Sequence, residues 1–179
     1  KHKMNIIKKN KIVKIVLFEK KYITKNFVDC LNSRLINRYM GVRKVKQNKK
    51  TAIEFYESFK TSGDHYLAIL NDKNLLIGTI TMRKVSKQKF NKYWSNKKIK
   101  WNKETIYIGF MILNPKFFGT QQSKDSFQMA LNYGFTKLKA ELILAGTEIR
   151  NAASNFNLMR NGFKMYKKTS KEFFFMLER

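Results

Sequence analysis

With 179 residues, 43% of them hydrophobic and 14% aromatic, the chain can build a packed core without a staple, which excludes a disordered chain. A single cysteine, Cys30, excludes an internal disulfide framework or a cysteine-rich metal site and points to a reducing compartment, expected to be the cytoplasm. The net charge of +26 would suit a polyanion binder, yet the cations are mostly Lys, run through nearly every segment and accompany abundant Asn and Ile. Two readings of the charge stay open: codon bias from an AT-rich genome, or a surface that attracts phosphates. A dedicated nucleic-acid binder is the less favoured class. Its binding would have to weaken as salt rises. His2 and His65 stand far apart, so no metal is expected. No apolar run reaches the roughly 18 residues of a membrane span. Lys1–Lys14 is basic without a continuous apolar stretch, unlike a secretory signal, and Met4 is a candidate initiator.

In chain order, Lys11–Phe18 reads as a first strand and Ile23–Leu35 as a helix with Phe27, Leu31 and Leu35 on one face. Arg38–Lys50 is a basic loop. Thr51-Ala-Ile-Glu54 has the form of a capping box, followed by a stripe of Phe55 and Phe59 with Ile53 and Tyr56, ended at Gly63. His65–Leu70 and Leu75–Met82, joined by Asn71–Asn74, read as a hairpin. Ser86–Lys103 is a basic, aromatic insertion. Its Trp94 and Trp101 either stack on bases or sugars or staple the insertion to the domain. Thr105–Leu113 is the clearest strand, closed by Pro115. Ser123–Lys139 reads as a helix, Glu141–Ala145 as a strand and Asn151–Asn161 as a helix with Gly162 as its left-handed terminator. Phe163–Tyr166 and Phe173–Leu177 form a last hairpin. The pattern is α+β: a mixed, mostly antiparallel sheet of about seven strands flanked by about four helices, with a parallel crossover between the fourth and fifth strands where the sheet would splay. One domain over 1–179 is expected, with the insertion at about 86–104.

The loop Lys116–Ser123 between a strand and a long helix aims several main-chain N–H groups at one point, an anion cradle backed by the helix dipole. Three stretches add to it. Leu31-Asn-Ser-Arg-Leu-Ile-Asn37-Arg-Tyr-Met-Gly-Val-Arg43 is close to the pattern L-N-D-x-x-V-N-R-Y-L-x-x-R. Ile108-Gly-Phe-Met-Ile112 followed by Phe118-Gly119 is similar to I-G-x-M-I and W-G, and Asn151-Ala-Ala-Ser154 running to Asn161-Gly-Phe163 matches N-x-x-S and x-G-F. On these the chain resembles the GNAT superfamily of N-acetyltransferases, in the branch similar to ribosomal-protein-alanine and surface-sugar acetyltransferases.

The resemblance implies acetyl-CoA as cosubstrate, no metal, and an amine acceptor: an amino-sugar nucleotide for a surface polysaccharide or a protein N-terminus. It implies that main-chain groups of Met111, Ile112 and Leu113 pair with the pantetheine arm, with an N–H near Met111 receiving the charge that develops on the acetyl oxygen. Phe118 and the N–H groups of Gly119, Thr120, Gln121, Gln122, Ser123 and Lys124 would hold the pyrophosphate. Asn151, Ser154 and Asn155 would line the thioester end, with Ser154 or a water on Asn151 as the acid. Glu148 would be the base ahead of Glu54 and His65. Asn37, Tyr39, Arg43, Tyr66 and the insertion would wall the acceptor site. Against these stand solvated-residue readings of Glu148, a helix-capping reading of Ser154 and a loop-holding reading of Asn37 and Arg43. A monomer or homodimer is expected.

Two departures matter. The family loop R/Q-x-x-G-x-G/A keeps only Gly119, with Phe118, Gln121 and Ser123 at its other marked places. A left-handed Gln121 would be strained by about 1–2 kcal/mol, which Lys116 or Lys124 could offset. The Tyr that many relatives place on the last long helix as acid is Leu158 here. Both departures keep open a catalytically weakened binding module of the same fold.

Overall fold

The computed structural model describes residues 5–179, so His2, Met4 and the rest of residues 1–4 lie outside them. Strands β1 (Ile6–Lys9) and β2 (Val13–Leu17) are followed by helices α1 (Lys25–Asn32), α2 (Arg34–Asn37) and α3 (Lys49–Ser62). The hairpin β3 (His65–Asn71) and β4 (Leu76–Lys84) leads through a short turn, α4 (Lys87–Lys89), to β5 (Thr105–Ile112). Then come α5 (Gln121–Thr136), β6 (Leu142–Glu148), α6 (Ala152–Arg160), β7 (Lys164–Lys168) and β8 (Glu172–Glu178). Hydrogen bonds order the strands β1-β2-β3-β4-β5-β6-β8-β7, mostly antiparallel, with β5 and β6 as the parallel pair. The α+β reading holds, with eight strands in place of about seven and six helices in place of about four among the described residues.

The differences have local causes. β1 is short, with Ile6 exposed and Lys8 and Lys9 following, so it carries no alternating pattern. Thr24 caps α1 by accepting from the N–H of Phe27, and the extended backbone at Ser33 then splits one expected helix into α1 and α2. Helix α3 starts a turn earlier than its presumed capping box. Asn48 accepts from the N–H of Thr51 at 3.0 Å, and the Thr51 hydroxyl accepts from the N–H of Asn48 at 3.0 Å, so Thr51 is the box's third helical residue and not its cap. Asn outranks Thr at the cap position. On α3, Ala52 and Phe59 are the buried residues and Phe55 stays exposed. Helix α5 begins at Gln121 and ends at Thr136, shifted toward the N-terminus from expectation. Gly162, at φ 86°, terminates α6 as read from the sequence.

The chain divides into two compact units. One comprises the residues up to Thr81 with Phe110–Tyr133, the other Met82–Gly109 with Gly134–Arg179. The first is built on β2 and β3, where Val16, Ala68 and Leu70 meet Phe27 and Leu31 from α1. Tyr66 stacks between Phe18, at 4.1 Å between ring centroids, and Phe59, at 5.0 Å. In the second unit Leu142, Leu144 and Tyr166 pack with Val85, Phe90 and Ile99. The aromatic insertion is stapled there. The Trp101 indole donates to the carbonyl of Val85 at 2.7 Å, and the Trp94 ring lies against Tyr107 and Phe174. Both half-buried indoles are thus engaged in packing.

Two register irregularities mark the sheet margins, one in β1 between Ile6 and Lys8 and one in β7 between Met165 and Lys167. No helix among the described residues is long and apolar enough to cross a membrane. No group of three or more His, Cys, Asp or Glu among them could hold a metal ion.

In the first unit β4 and β5 approach unusually closely at Gly78, where an added Cβ would stand 2.6 Å from the carbonyl oxygen of Met111 and 2.9 Å from Ile69 Cδ1. The Gly78→Ala variant is expected to lose about 1–3 kcal/mol in urea unfolding through overpacking. Gly41→Ala, with nothing within 4 Å of the new atom, is the matched near-neutral variant. Equal midpoints for the two would show that the close approach at Gly78 is dispensable.

Candidate active site

Main-chain direction along β5 decides which of its groups are available. The N–H of Leu113 donates to Ile77 at 2.8 Å, and the carbonyl of Thr105 accepts from Val85 at 3.0 Å. Along a strand, alternate residues turn their main-chain groups to the same side. Thr105, Tyr107, Gly109, Met111 and Leu113 therefore address β4, and Phe110 and Ile112 address the other edge. On that edge β5 pairs with β6 only from Thr105↔Leu142 to Tyr107↔Leu144, although β5 runs on to Ile112 and β6 to Glu148. Among the described residues no further pair is formed. This corrects the expected trio. The amide of Leu113 is engaged with β4 and Met111 turns the same way, so only Ile112, joined by Phe110, offers main-chain groups on the unpaired edge.

Beyond β5, Asn114 accepts from the N–H of Lys116 and opens a tight turn through Pro115. Gly119 follows in the left-handed region at φ 69°, where an added Cβ would meet nothing within 4 Å. The glycine is there for its backbone. Thr120 ends the loop, its hydroxyl donating to the carbonyl of Phe117 at 2.9 Å and accepting from the N–H of Ser123 at 3.4 Å. The N–H of Lys124 is already in the helix, bonded to the carbonyl of Thr120 at 3.1 Å. That leaves the N–H groups of Gly119, Gln121 and Gln122 without an acceptor among the described residues. They sit at the positive end of a 16-residue helix.

Gln121 is the first residue of α5 and has no positive φ, so the strain expected of it is absent. Its side chain is exposed and donates along the helix to Asp125 at 2.5 Å, while the other Asp125 oxygen accepts from Asn10 at 2.6 Å. Phe118 is exposed beside the glycine. Lys116 is exposed and Lys124 half-buried.

In the second unit the corner from β6 into α6 carries the other candidates. Asn151 caps α6, its carbonyl oxygen accepting from the N–H of Ser154 at 3.3 Å. The Asn151 side-chain N–H₂ and the Ser154 hydroxyl have no partner among the described residues. Asn155 is different. It is buried, donates to the carbonyls of Glu148 at 3.4 Å and Ile149 at 3.1 Å, and accepts from the hydroxyl of Thr147. With both donors engaged it holds the turn together and has none to give a ligand. Thr147 is the partner that sequence reading missed; a lone Thr near a strand end carries no signal. Glu148 ends β6 half-buried, in register with Glu172 of β8. Leu158 is buried, so the place of the usual Tyr acid is aliphatic core.

The expected acceptor wall separates as well. Tyr66 is a core residue, 6% exposed, and burial pushes its phenol pKa well up, with a hydrogen bond to Thr79 working the other way. Its ring is held in a stack of three aromatics, a core-packing role. Asn37 is buried and donates to the carbonyl of Leu31 at 2.8 Å, a loop-holding role. Tyr39 lies under the Arg38 guanidinium at 4.9 Å, and Arg43 donates to the carbonyl of Arg38. Of the alternative bases, Glu54 is exposed on α3, and His65 Nδ1 pairs with the Tyr133 hydroxyl at 3.0 Å.

Replacing Asn155 by Ala would strand the Thr147 hydroxyl and two carbonyls in a buried turn, a loss of about 1–3 kcal/mol. Thermal unfolding should show it, whereas Ser154→Ala should leave the melting temperature nearly unchanged. An unaltered stability for Asn155→Ala would return that residue to the list of ligand-binding groups.

The acetyltransferase (GNAT) domain family matches residues 24–164 of the chain. No curated protein sequence gives a significant match. Among solved structures, a GNAT-family acetyltransferase from Bacillus anthracis superimposes with a TM-score of 0.75 at 18% identity, over 97% of this chain and 98% of that one. RimL, a ribosomal L7/L12 α-N-protein acetyltransferase, gives 0.77 at 11% identity over 99% and 96%. FdhC, a nucleotide-linked sugar GNAT, gives 0.68 at 14% over 98% and 89%. At such identities these neighbours establish the fold, and the domain match covers most of the chain. The protein belongs to the GNAT acetyltransferase family.

Proposed function

We propose that the protein transfers an acetyl group from acetyl-CoA to a primary amine, with an amino-sugar nucleotide as the preferred acceptor. The observation that carries this reading is the set of N–H groups on Gly119, Gln121 and Gln122, which have no acceptor among the described residues and lie where a helix dipole favours phosphate. Hydrogen bonds to a charged group contribute about 1.5–3 kcal/mol each. Lys116 and Lys124 flank these amides in sequence and add charge.

Bound there, acetyl-CoA supplies an activated acetyl group; the chain supplies position and polarity. Main-chain groups of Ile112 and Phe110 serve as hydrogen-bonding partners for the arm, and one of their N–H groups, rather than that of Met111, meets the charge developing on the acetyl oxygen. The side-chain N–H₂ of Asn151 and the Ser154 hydroxyl are the polar groups offered to the acyl end. Glu148 is the carboxylate assigned to take the amine's proton. With Leu158 in place of a Tyr, Ser154 or a water held by Asn151 returns a proton to the departing thiolate. Acid–base help is worth about 10²–10⁴ in rate, whereas positioning reaches effective molarities of about 10⁵–10⁸ M. The missing Tyr therefore slows the reaction and leaves its main advantage in place.

Support for a sugar-nucleotide acceptor comes from the likeness to FdhC, and RimL supports the second reading, a protein N-terminus. An acetyl-transfer assay with a nucleoside-diphosphate amino-sugar beside unblocked peptides decides between them.

Calorimetry with acetyl-CoA is expected to show binding, weakened about ten-fold in Gly119→Ala, because the left-handed backbone at φ 69° is strained by about 1–2 kcal/mol with a Cβ. If Ser154 is the acid, Ser154→Ala lowers kcat by about 10²–10⁴ at nearly constant KM for acetyl-CoA; an unchanged kcat assigns the proton to water. Absence of any heat at millimolar acetyl-CoA would make the chain a non-catalytic binding module.

A further inference from the structure

The first unit holds a hollow of about 730 Å³ lined by Arg34, Arg38, Arg43, Lys44 and Lys46, together with Asn32, Asn37 and Val45. Its size lies within the roughly 300–1,000 Å³ of small-molecule sites. No carboxylate lines it, and Arg34, Arg38, Lys44 and Lys46 have no carboxylate partner among the described residues. Four such cations around one concavity repel one another unless an anion joins them.

A chain with 38 Lys and Arg against 12 Asp and Glu places lysines everywhere, so positive charge alone is weak evidence. The arginines discriminate. Only seven of those 38 residues are Arg, and three of the seven, Arg34, Arg38 and Arg43, line this one hollow. A composition that favours Lys elsewhere uses the planar guanidinium fork here, the shape that meets two phosphate oxygens at once.

The frame beneath the cations is also held in place. Asn32 donates to the carbonyl of Gln47 at 2.9 Å and accepts from its N–H at 2.8 Å, tying the end of α1 to the residue before the α3 cap. Asn37 closes the turn below through its bond to Leu31. Arg43 reaches the carbonyl of Arg38, and Arg38 lies over Tyr39. A backbone fixed in this way has less freedom to lose when a ligand arrives.

We propose that this hollow binds a diphosphate, and that the amine acceptor is presented as the sugar of a nucleoside diphosphate. The second half rests on the acetyl-transfer reading above; the first half does not.

The test is calorimetry with uridine diphosphate, without acetyl-CoA, on three proteins. These are the unaltered chain, a variant with Arg34→Gln, Lys44→Gln and Lys46→Gln, and a variant with Lys8→Gln, Lys9→Gln and Lys11→Gln. The last removes the same charge from exposed positions elsewhere. Arg43 and Asn37 are left intact because they hold the frame. Uridine diphosphate should bind the unaltered chain, at least about ten-fold more weakly the first variant, and within about two-fold of normal the second. Acetyl-CoA affinity, measured separately, should be unchanged in both, which also shows that both remain folded. Equal weakening in the two variants, or no binding of uridine diphosphate at millimolar concentration, overturns the proposal. Mutual exclusion of uridine diphosphate and acetyl-CoA does so too, by making the hollow part of the cofactor's own site. So does binding of an RNA oligomer that falls with the first variant when uridine diphosphate does not bind. Failure of acetyl-CoA to bind, with the uridine diphosphate pattern intact, removes acetyl transfer and leaves the diphosphate site standing.

Discussion

A β-strand residue can turn its N–H and C=O to one neighbour only, and the way β5 assigns that choice governs the rest of the candidate chemistry. Leu113 bonded to Ile77, and Thr105 accepting from Val85, fix the odd-numbered positions on β4. Phe110 and Ile112 then have to face the opposite edge, where the pairs with β6 end at Tyr107. Buried main-chain groups without partners are rare because each forfeits its hydration. On the proposed function, the arm of acetyl-CoA meets the main-chain groups that β5 leaves on that edge. Gly78 belongs to the same arrangement, since a side chain there would press on the carbonyl of Met111 and shift the strand that sets the alternation.

The loop after β5 extends this logic. A single glycine in the left-handed region turns the chain, Thr120 caps Ser123, and the amides left over are those of Gly119, Gln121 and Gln122. The loss of further loop glycines, which from the residue pattern alone looked costly, has no backbone consequence, because Gln121 already lies in the helix.

Much of the architecture was legible in the residues: the β3–β4 hairpin, β5 with its proline stop, α6 with Asn151 and Gly162 at its ends, and the parallel crossover. Each rests on a local signal, either a period-two or helical repeat or a punctuating Pro or Gly. What was hidden depends on partners distant in sequence. Tyr66 looked like part of the acceptor wall until Phe18 and Phe59 closed on it. Asn155 looked like a ligand until Thr147 and two carbonyls used it up. The parity of β5 follows from its bonds to Ile77 and Val85, which no pattern within β5 itself reveals. The cationic hollow was half visible: Asn37 and Arg43 were noted, but their neighbours Arg34, Arg38, Lys44 and Lys46 acquire meaning only when the end of α1, α2 and the stretch from Arg43 to Lys46 are brought around one space.

The two outermost strands have one more effect. β1 ends in Lys8 and Lys9, β7 carries Lys164, Lys167 and Lys168, and each has its regular spacing interrupted once. Outer strands with lysine rungs and a kink are poor templates for another chain, because an added strand would stack ammonium groups against each other over a bent rail. A protein so rich in strand-forming aromatics thereby guards its borders against runaway growth into fibres, and some of its surplus lysine finds a use far from any ligand.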